Sequence, residues 1–220
     1  IELDSENEWV IARRGYAYQL MEHYPEALTD FTRAIELDSE NEWVIAERGQ
    51  THYLNHTYKQ AREDFNRAVE LNSKDYWHVR KRGEVDLLLG NYNQALQDFE
   101  LSIELNSNID WTFYMRSLAH TALKQTENAK ADIEQAINLA HKDYEANPQN
   151  CRNIFNLAIY HLTAGNVEQS NHLYQEALNK GPSTKLIKAV IRDLEDLLTV
   201  LPNFPNAELM RSRLQASLGQ

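Results

Sequence analysis

A stretch of fourteen residues occurs twice in the chain with a single change. IELDSENEWVIARR at residues 1–14 returns as IELDSENEWVIAER at residues 35–48, so that Glu47 stands where the first copy has Arg13. All four tryptophans, Trp9, Trp43, Trp77 and Trp111, fall on the same 34-residue period. A period of roughly 20–50 residues signals a stack of like supersecondary units, none able to bury its apolar face alone. Neighbouring units must therefore share one continuous core.

Dividing the chain on this period gives four units over residues 8–143, namely 8–41, 42–75, 76–109 and 110–143. Residues 144–150 read as an insertion that extends the second helix of the fourth unit, and 151–184 as a fifth unit. Residues 1–7 copy only the end of a preceding unit. Within the first unit, Trp9 to Glu22 and Pro25 to Leu37 read as two helices, with Pro25 suited to a first helical turn. Ser5 before Glu8, and Ser39 before Glu42, offer capping boxes for the first helices. Seven Gly and five Pro leave little turn material for an all-β fold, which favours an all-α chain.

Small residues recur where two helices must cross closely. Counted from the start of each unit, position 8 holds Gly15, Gly49, Gly83, Ser117 and Ala158, and position 20 holds Ala27, Ala61, Ala95, Ala129 and Ser170. Position 24 is bulky (Phe31, Phe65, Phe99, Ile133, Tyr174) and fills the space beside them, as helix packing at about 8–10 Å requires. Position 27 is small again: Ala34, Ala68, Ser102, Ala136 and Ala177.

This 34-residue helix–turn–helix pattern resembles the tetratricopeptide repeat and covers residues 1–184. Two departures stand out. The family's tryptophan at position 4 is replaced by Ile11, Ile45, Val79, Phe113 and Ile154, with tryptophan at position 2 instead, and its proline at position 32 survives only as Pro182. The resemblance implies a right-handed superhelical solenoid of antiparallel helix pairs with about five repeats. Residues 185–220 then read as a pair of C-terminal capping helices. It also implies a non-catalytic protein-interaction module that binds a partner peptide or helix along its first helices. Runs of Asp-Phe-x-Arg-Ala units further resemble the repeat arrays of large bacterial switch ATPase-type signalling proteins, which implies a sensor or scaffold region. The alternative is a structural spacer or self-association element, in which the uncapped N-terminal end supports head-to-tail contact.

Positions 2, 5, 9, 12 and 13 are those expected to line the binding groove of such a fold. The candidates with the most contact area are Trp9, Tyr16, Trp43, Tyr53, Trp77, Trp111, Tyr114 and Phe155, with Arg80 as the one groove cation in the first four units. The position-2 tryptophans have a second reading, as seals between a first helix and the preceding unit. Lys and Asn at positions 5 and 9, which some family members use to grip a C-terminal carboxylate, are absent. A separate ladder pairs Arg14, Arg48, Arg82 and Arg116 at position 7 with Asp30, Asp64, Asp98 and Asp132 at position 23. The fifth unit has Leu157 and Leu173 there, so both members change together, as expected of a helix-to-helix salt bridge.

Twenty-two basic against thirty-three acidic side chains, a formal charge of −11, oppose binding to nucleic acid or anionic membrane surfaces. No apolar run is long enough to span a bilayer, and the single Cys151 cannot form an internal disulfide. A cytoplasmic location follows as the expectation. His52 and His56 lie four apart but lack a third ligand, and no metal or cofactor motif and no catalytic constellation occurs. Position 11 (Tyr18, His52, Asp86, His120, His161) forms a polar row that reads as hydrogen-bonded structure rather than a metal site.

Overall fold

A computed structural model describes residues 7–218, and among these it shows twelve helices and no strand. The six residues before Asn7, including Ser5 and most of the expected remnant unit, lie outside the described residues. The chain divides into two compact units, Ile1–Leu105 and Asn106–Gln220.

The first compact unit holds α1 (Glu8–Leu20), α2 (Tyr24–Leu37), α3 (Glu42–Leu54), α4 (Tyr58–Leu71), α5 (Tyr76–Leu88) and α6 (Tyr92–Leu105). They form three antiparallel pairs, and each pair packs on the next through α2 against α3 and α4 against α5. The second compact unit holds α7 (Asp110–Ala122), α8 (Thr126–Ala146), α9 (Cys151–Thr163), α10 (Val167–Asn179), α11 (Thr184–Val200) and α12 (Ala207–Ser217). Here α8 is 21 residues long against 13 or 14 for the other paired helices. Its last turns carry Tyr144, whose hydroxyl donates to Glu176 on α10 at 3.1 Å.

Packing inside a pair rests on the small and bulky positions together. A Cβ added at Gly15, Gly49 or Gly83 would stand 3.2, 3.3 or 2.9 Å from the rings of Phe31, Phe65 or Phe99, all fully buried. Where the second compact unit has a Cβ at this position the partner changes: Ser117 goes with Ile133, and Ala158 with Tyr174. In the fourth unit the larger Ser117 is offset by the smaller Ile133, whereas in the fifth both members are larger.

The caps differ from the sequence expectation. Asn7 and Asn41, not Ser5 and Ser39, close the first helices, each accepting from the backbone N–H three residues on, Val10 and Val44, at 3.2 Å. Asp75 and Asn150 do the same for α5 and α9, whereas Ile109 before α7 has no capping side chain. An Asn or Asp immediately before a helix reaches the free N–H groups of the first turn with a shorter arm than a serine three residues upstream.

Each turn between paired helices is closed in one way. Position 15 is left-handed in all five units: Glu22, His56, Gly90, Lys124 and Gly165 have φ between 57° and 82°. The next N–H then reaches back to the position-11 carbonyl, as in His23 to Tyr18 at 2.9 Å and Gln125 to His120 at 2.8 Å. The polar row at position 11 belongs to this turn. His52 Nδ1 bonds the Thr57 hydroxyl at 2.8 Å, Asp86 accepts from Asn91 at 2.7 Å, and His120 Nδ1 meets Gln125 at 2.6 Å.

Candidate functional site

The first helices of the pairs, α1, α3 and α5, share a face in the first compact unit. Trp9 is 60% exposed there, and Trp43 and Trp77 are half-buried. Arg13 lies between two indoles, its guanidinium 4.7 Å from the Trp43 ring centre and 5.5 Å from that of Trp9. Tyr16 stands 6.1 Å from Trp43, ring centre to ring centre. Farther along, Lys81 Nζ sits 4.9 Å over Tyr53 and 6.0 Å over Trp77. Cations held over aromatic faces in this way fix both groups.

The tryptophans also seal seams. Trp43 packs on the cluster of Ile11, Ala12, Phe31 and Ala34, and Trp77 meets Phe65 edge-on at 6.0 Å. Both sequence readings of position 2 thus apply to Trp43 and Trp77: one side of the ring belongs to the core and the other to solvent.

Between the two cations lies Glu47, the one residue that distinguishes the duplicated segments. Burial raises its pKa, opposed by hydrogen bonds from Gln19 and Trp43 and by the charges of Lys81 and Arg13. Gln19, itself buried, donates to both the backbone carbonyl and the carboxylate of Glu47 at 3.1 Å and to Thr51 at 3.0 Å. The face therefore carries an alternating row of Arg13, Glu47 and Lys81 beside its indoles.

Three candidates are displaced from this role. Tyr53, Tyr114 and Phe155 are 7%, 0% and 1% exposed, so none offers a surface to a partner. Position 5 and position 12 turn towards the neighbouring helix, which buries Tyr114, Phe155 and Tyr53, while Trp9, Arg13 and Leu20 are exposed on α1 and Trp43, Glu47, Gln50 and Leu54 are half-buried on α3. Arg80 is displaced as well. Its guanidinium is hydrogen-bonded to Glu84, which also takes Lys81 at 2.7 Å, so the cation is spent inside the chain. Sequence reasoning missed Arg13 and Lys81 because position 6 lies outside the set carried over from the family.

The position-7 arginines meet the position-23 aspartates in two-pronged pairs. Arg14 contacts Asp30 at 2.7 Å through both Nε and Nη2, and Arg48–Asp64, Arg82–Asp98 and Arg116–Asp132 repeat the geometry at 2.6–2.9 Å. The aspartates are buried. In the fifth unit Leu157 and Leu173 are buried in their place. A further pair went unread: Arg62 of α4 reaches Asp86 of α5 at 2.6 Å, tying one helix pair to the next.

In the second compact unit the corresponding face, on α7 and α9, is covered. Helix α11 packs against both, and Asp193 accepts from Arg152 at 2.8 Å. Arg152 also lies 5.5 Å over the half-buried Trp111. The C-terminal helices thus do more than continue the stack.

Helix pairs, shared seams and an aromatic face define a helical-repeat scaffold. The tetratricopeptide-repeat family model matches residues 10–41 and 112–143, two of the five units. Among solved structures, the chain is similar to MamA from Desulfovibrio magneticus RS-1, at 14% identity over 82% of this chain and 97% of that one, with a TM-score of 0.59. It is similar to YrrB, described as a tetratricopeptide-repeat protein with an unusual peptide-binding site, at 17% identity over 87% and 94%, with a TM-score of 0.56. The first repeat domain of Spaghetti (RPAP3), solved with an HSP90 peptide, matches at 25% identity over 56% of this chain and 98% of that one, with a TM-score of 0.53. No match was found among curated proteins. The chain is therefore an all-α array of helix pairs, two of whose units match the tetratricopeptide repeat. Among the described residues no helix is long and apolar enough to cross a membrane, and no group of three His, Cys, Asp or Glu is arranged to hold a metal ion.

Proposed function

We propose that the chain is a non-catalytic interaction module that takes a partner peptide or helix on the face of α1, α3 and α5. The observation that carries this reading is the surface row of Trp9, Trp43 and Trp77 interleaved with Arg13, Glu47 and Lys81. Indoles bury much area with little loss of rotamer freedom, and the exposed Arg13, already held over two of them, meets a partner's carboxylate without further ordering, whereas Lys81 is paired with Glu84. Peptide binding by the Spaghetti domain and by YrrB supports the same use of the fold. The near-identical repeated segments support placing the array as the sensor or scaffold region of a larger bacterial signalling protein in the cytoplasm.

The test is a peptide library panned on the folded protein and counter-selected on Trp43→Ala. Peptides retained by the first and lost by the second, with an affinity loss of tenfold or more, support the reading. Equal recovery on both ends it. Self-association is favoured by a separate observation: α1 and the residue that follows it expose Trp9, Leu20 and Met21, at 60%, 45% and 61%. It predicts a sedimentation coefficient that rises with concentration and falls back on Met21→Lys.

A further inference from the structure

The second and fourth repeats fill one place in different ways. In the second, the rings of Tyr53 and Tyr58 stand 6.0 Å apart, centre to centre, and pack into one core cluster with Phe65, Leu88 and Leu89. At the same positions the fourth repeat and the first helix and turn of the fifth carry Thr121, Thr126, Ile133, Thr163 and Ala164. Each of the five is smaller than its counterpart, so two phenol rings and a phenyl ring are absent together. The additions are slight: Ser117 stands for Gly49 and Ile137 for Val69.

Losing that much side chain either lets helices close up or leaves a cavity. Here a recess of about 430 Å³ remains, and all five of the smaller residues line it. Ala129, Ile133 and Ile137 give it an apolar wall, and Lys130, Glu134 and Asn166 a polar one. Its lining residues stand on α7, α8 and the end of α9 at positions other than 2, 5 and 9, which separates it from the first-helix face.

Three hydroxyls of the wall have already committed their protons. Ser117 donates to the Tyr114 carbonyl at 2.7 Å, Thr121 to that of Ser117 at 2.8 Å and Thr163 to that of Ile159 at 2.9 Å. A hydroxyl has one proton and two acceptor lone pairs, so these groups have only acceptor capacity left. An occupant that satisfies them brings a donor of its own. The recess also falls within the range of roughly 300–1,000 Å³ typical of small-molecule sites.

We propose that the recess binds a small phenolic molecule, which takes the place that Tyr53 and Tyr58 fill in the second repeat. The ring lies against Ile133 and Ile137, and its hydroxyl donates to the threonine oxygens. The second repeat supplies the argument for this class of ligand, because there the chain itself fills the space with phenol rings. The site is independent of the α1–α3–α5 face and stands if that face binds nothing.

The test uses the full chain and 4-fluorophenol followed by fluorine NMR, with fluorobenzene as the same ring lacking the hydroxyl. 4-Fluorophenol is expected to bind with a dissociation constant of about 1 mM or tighter. Fluorobenzene should bind at least about fivefold more weakly, for want of the hydrogen bond. Thr126→Tyr restores the counterpart of Tyr58, and Ala164→Leu that of Leu89; each should weaken 4-fluorophenol at least about tenfold while the protein stays folded by circular dichroism. Thr163→Val keeps the shape, removes an acceptor and should weaken 4-fluorophenol but not fluorobenzene. Trp9→Ala, on the other face, should change nothing, so failure of that face and failure of this site are told apart. The proposal is overturned if the unaltered chain does not bind 4-fluorophenol, or binds fluorobenzene equally well. Undiminished binding in the filling variants, or loss of binding on Trp9→Ala, overturns it as well. Should Thr126→Tyr fail to fold, Ala164→Leu decides.

Discussion

The first helices of α1–α6 and those of α7–α10 descend from one repeat pattern, yet one set leaves its face open and the other has a helix lying across it. The difference lies in two positions. In the first two pairs, position 5 is Ala12 or Ala46, buried but small enough to need no cover, and position 9 is the half-buried Tyr16 or Gln50, while α5 has Arg80 and Glu84, which pair with each other. In α7 and α9 they become Tyr114 and Phe155, and Leu118 and Ile159, which need a cover. Residues that stack helices can stay constant while the exposed face is rewritten from repeat to repeat, and a rewritten face recruits its own lid.

The contrast is broken most sharply by truncating the lid. Leu194→Ala in α11, at a fully buried site, is expected to cost about 2–5 kcal/mol in urea denaturation. Leu20→Ala, on the open face and 45% exposed, should stay within about 0.5 kcal/mol. Similar losses at both sites would mean that the two faces are not open and covered as described.

The ion-pair ladder sharpens the comparison next. Arg82→Leu strands a buried Asp98 and should cost about 1–3 kcal/mol, less than a fully buried pair because Arg82 keeps 23% of its side chain in solvent. Adding Asp98→Leu rebuilds the Leu157–Leu173 solution of the fifth unit and should return part of that loss. A double variant no more stable than the single would refute the packing argument.

Acid should weaken both regions together. Burial holds His52, His78 and His161 below their ordinary value of 6.5, so the unfolded chain takes up protons first. Their share of stability is full above about pH 6.5 and is lost as the pH falls through their lower folded values. His78, facing Asp75 and Glu42, is the one to replace: His78→Gln should flatten the change in urea midpoint between about pH 7.5 and 5.5. Asp98 and Glu47 run the other way, since burial raises them, and their share is present in acid and lost as the pH rises through their folded values. A midpoint equally steep in His78→Gln would remove that histidine from the account.

The smallest expected effect lies at the turns. Lys124 and Glu22 hold left-handed backbone that Gly90 and Gly165 hold at no steric cost. Lys124→Gly and Glu22→Gly should each raise stability by roughly 0.5–1 kcal/mol in thermal melts, one in each compact unit. A loss at either would show that the side chain contributes more than its strain costs.

What could be read from the chain was whatever recurs. The Gly15–Phe31 contact, the Arg14–Asp30 bridge and the helix pairs each appear several times at fixed spacing, so one chain supplied its own repeated evidence. The left-handed turn was within reach too, since Gly90 and Gly165 share a unit position in a chain with only seven glycines. The lid was not. Asp193 and Arg152 occur once, with no second copy to compare, and α11 has no periodic partner that would reveal where it lies. The cations at position 6 escaped because that position lies outside the groove set carried over from the family, and its charge changes sign from Arg13 to Glu47 to Lys81.

That alternating sign has a consequence for how such an array can lengthen. A duplicated repeat arrives with its own charge beside the same charge in its parent, and two arginines flanking one indole would repel. The copy at residues 35–48 differs from residues 1–14 only at this place, where Glu47 now sits between Arg13 and Lys81. One substitution converts a self-repelling copy into a compatible neighbour. Over α1, α3 and α5 neighbouring repeats are thus matched by opposite sign, whereas α7 and α9 carry Met115 and Asn156 at this position and need no such match.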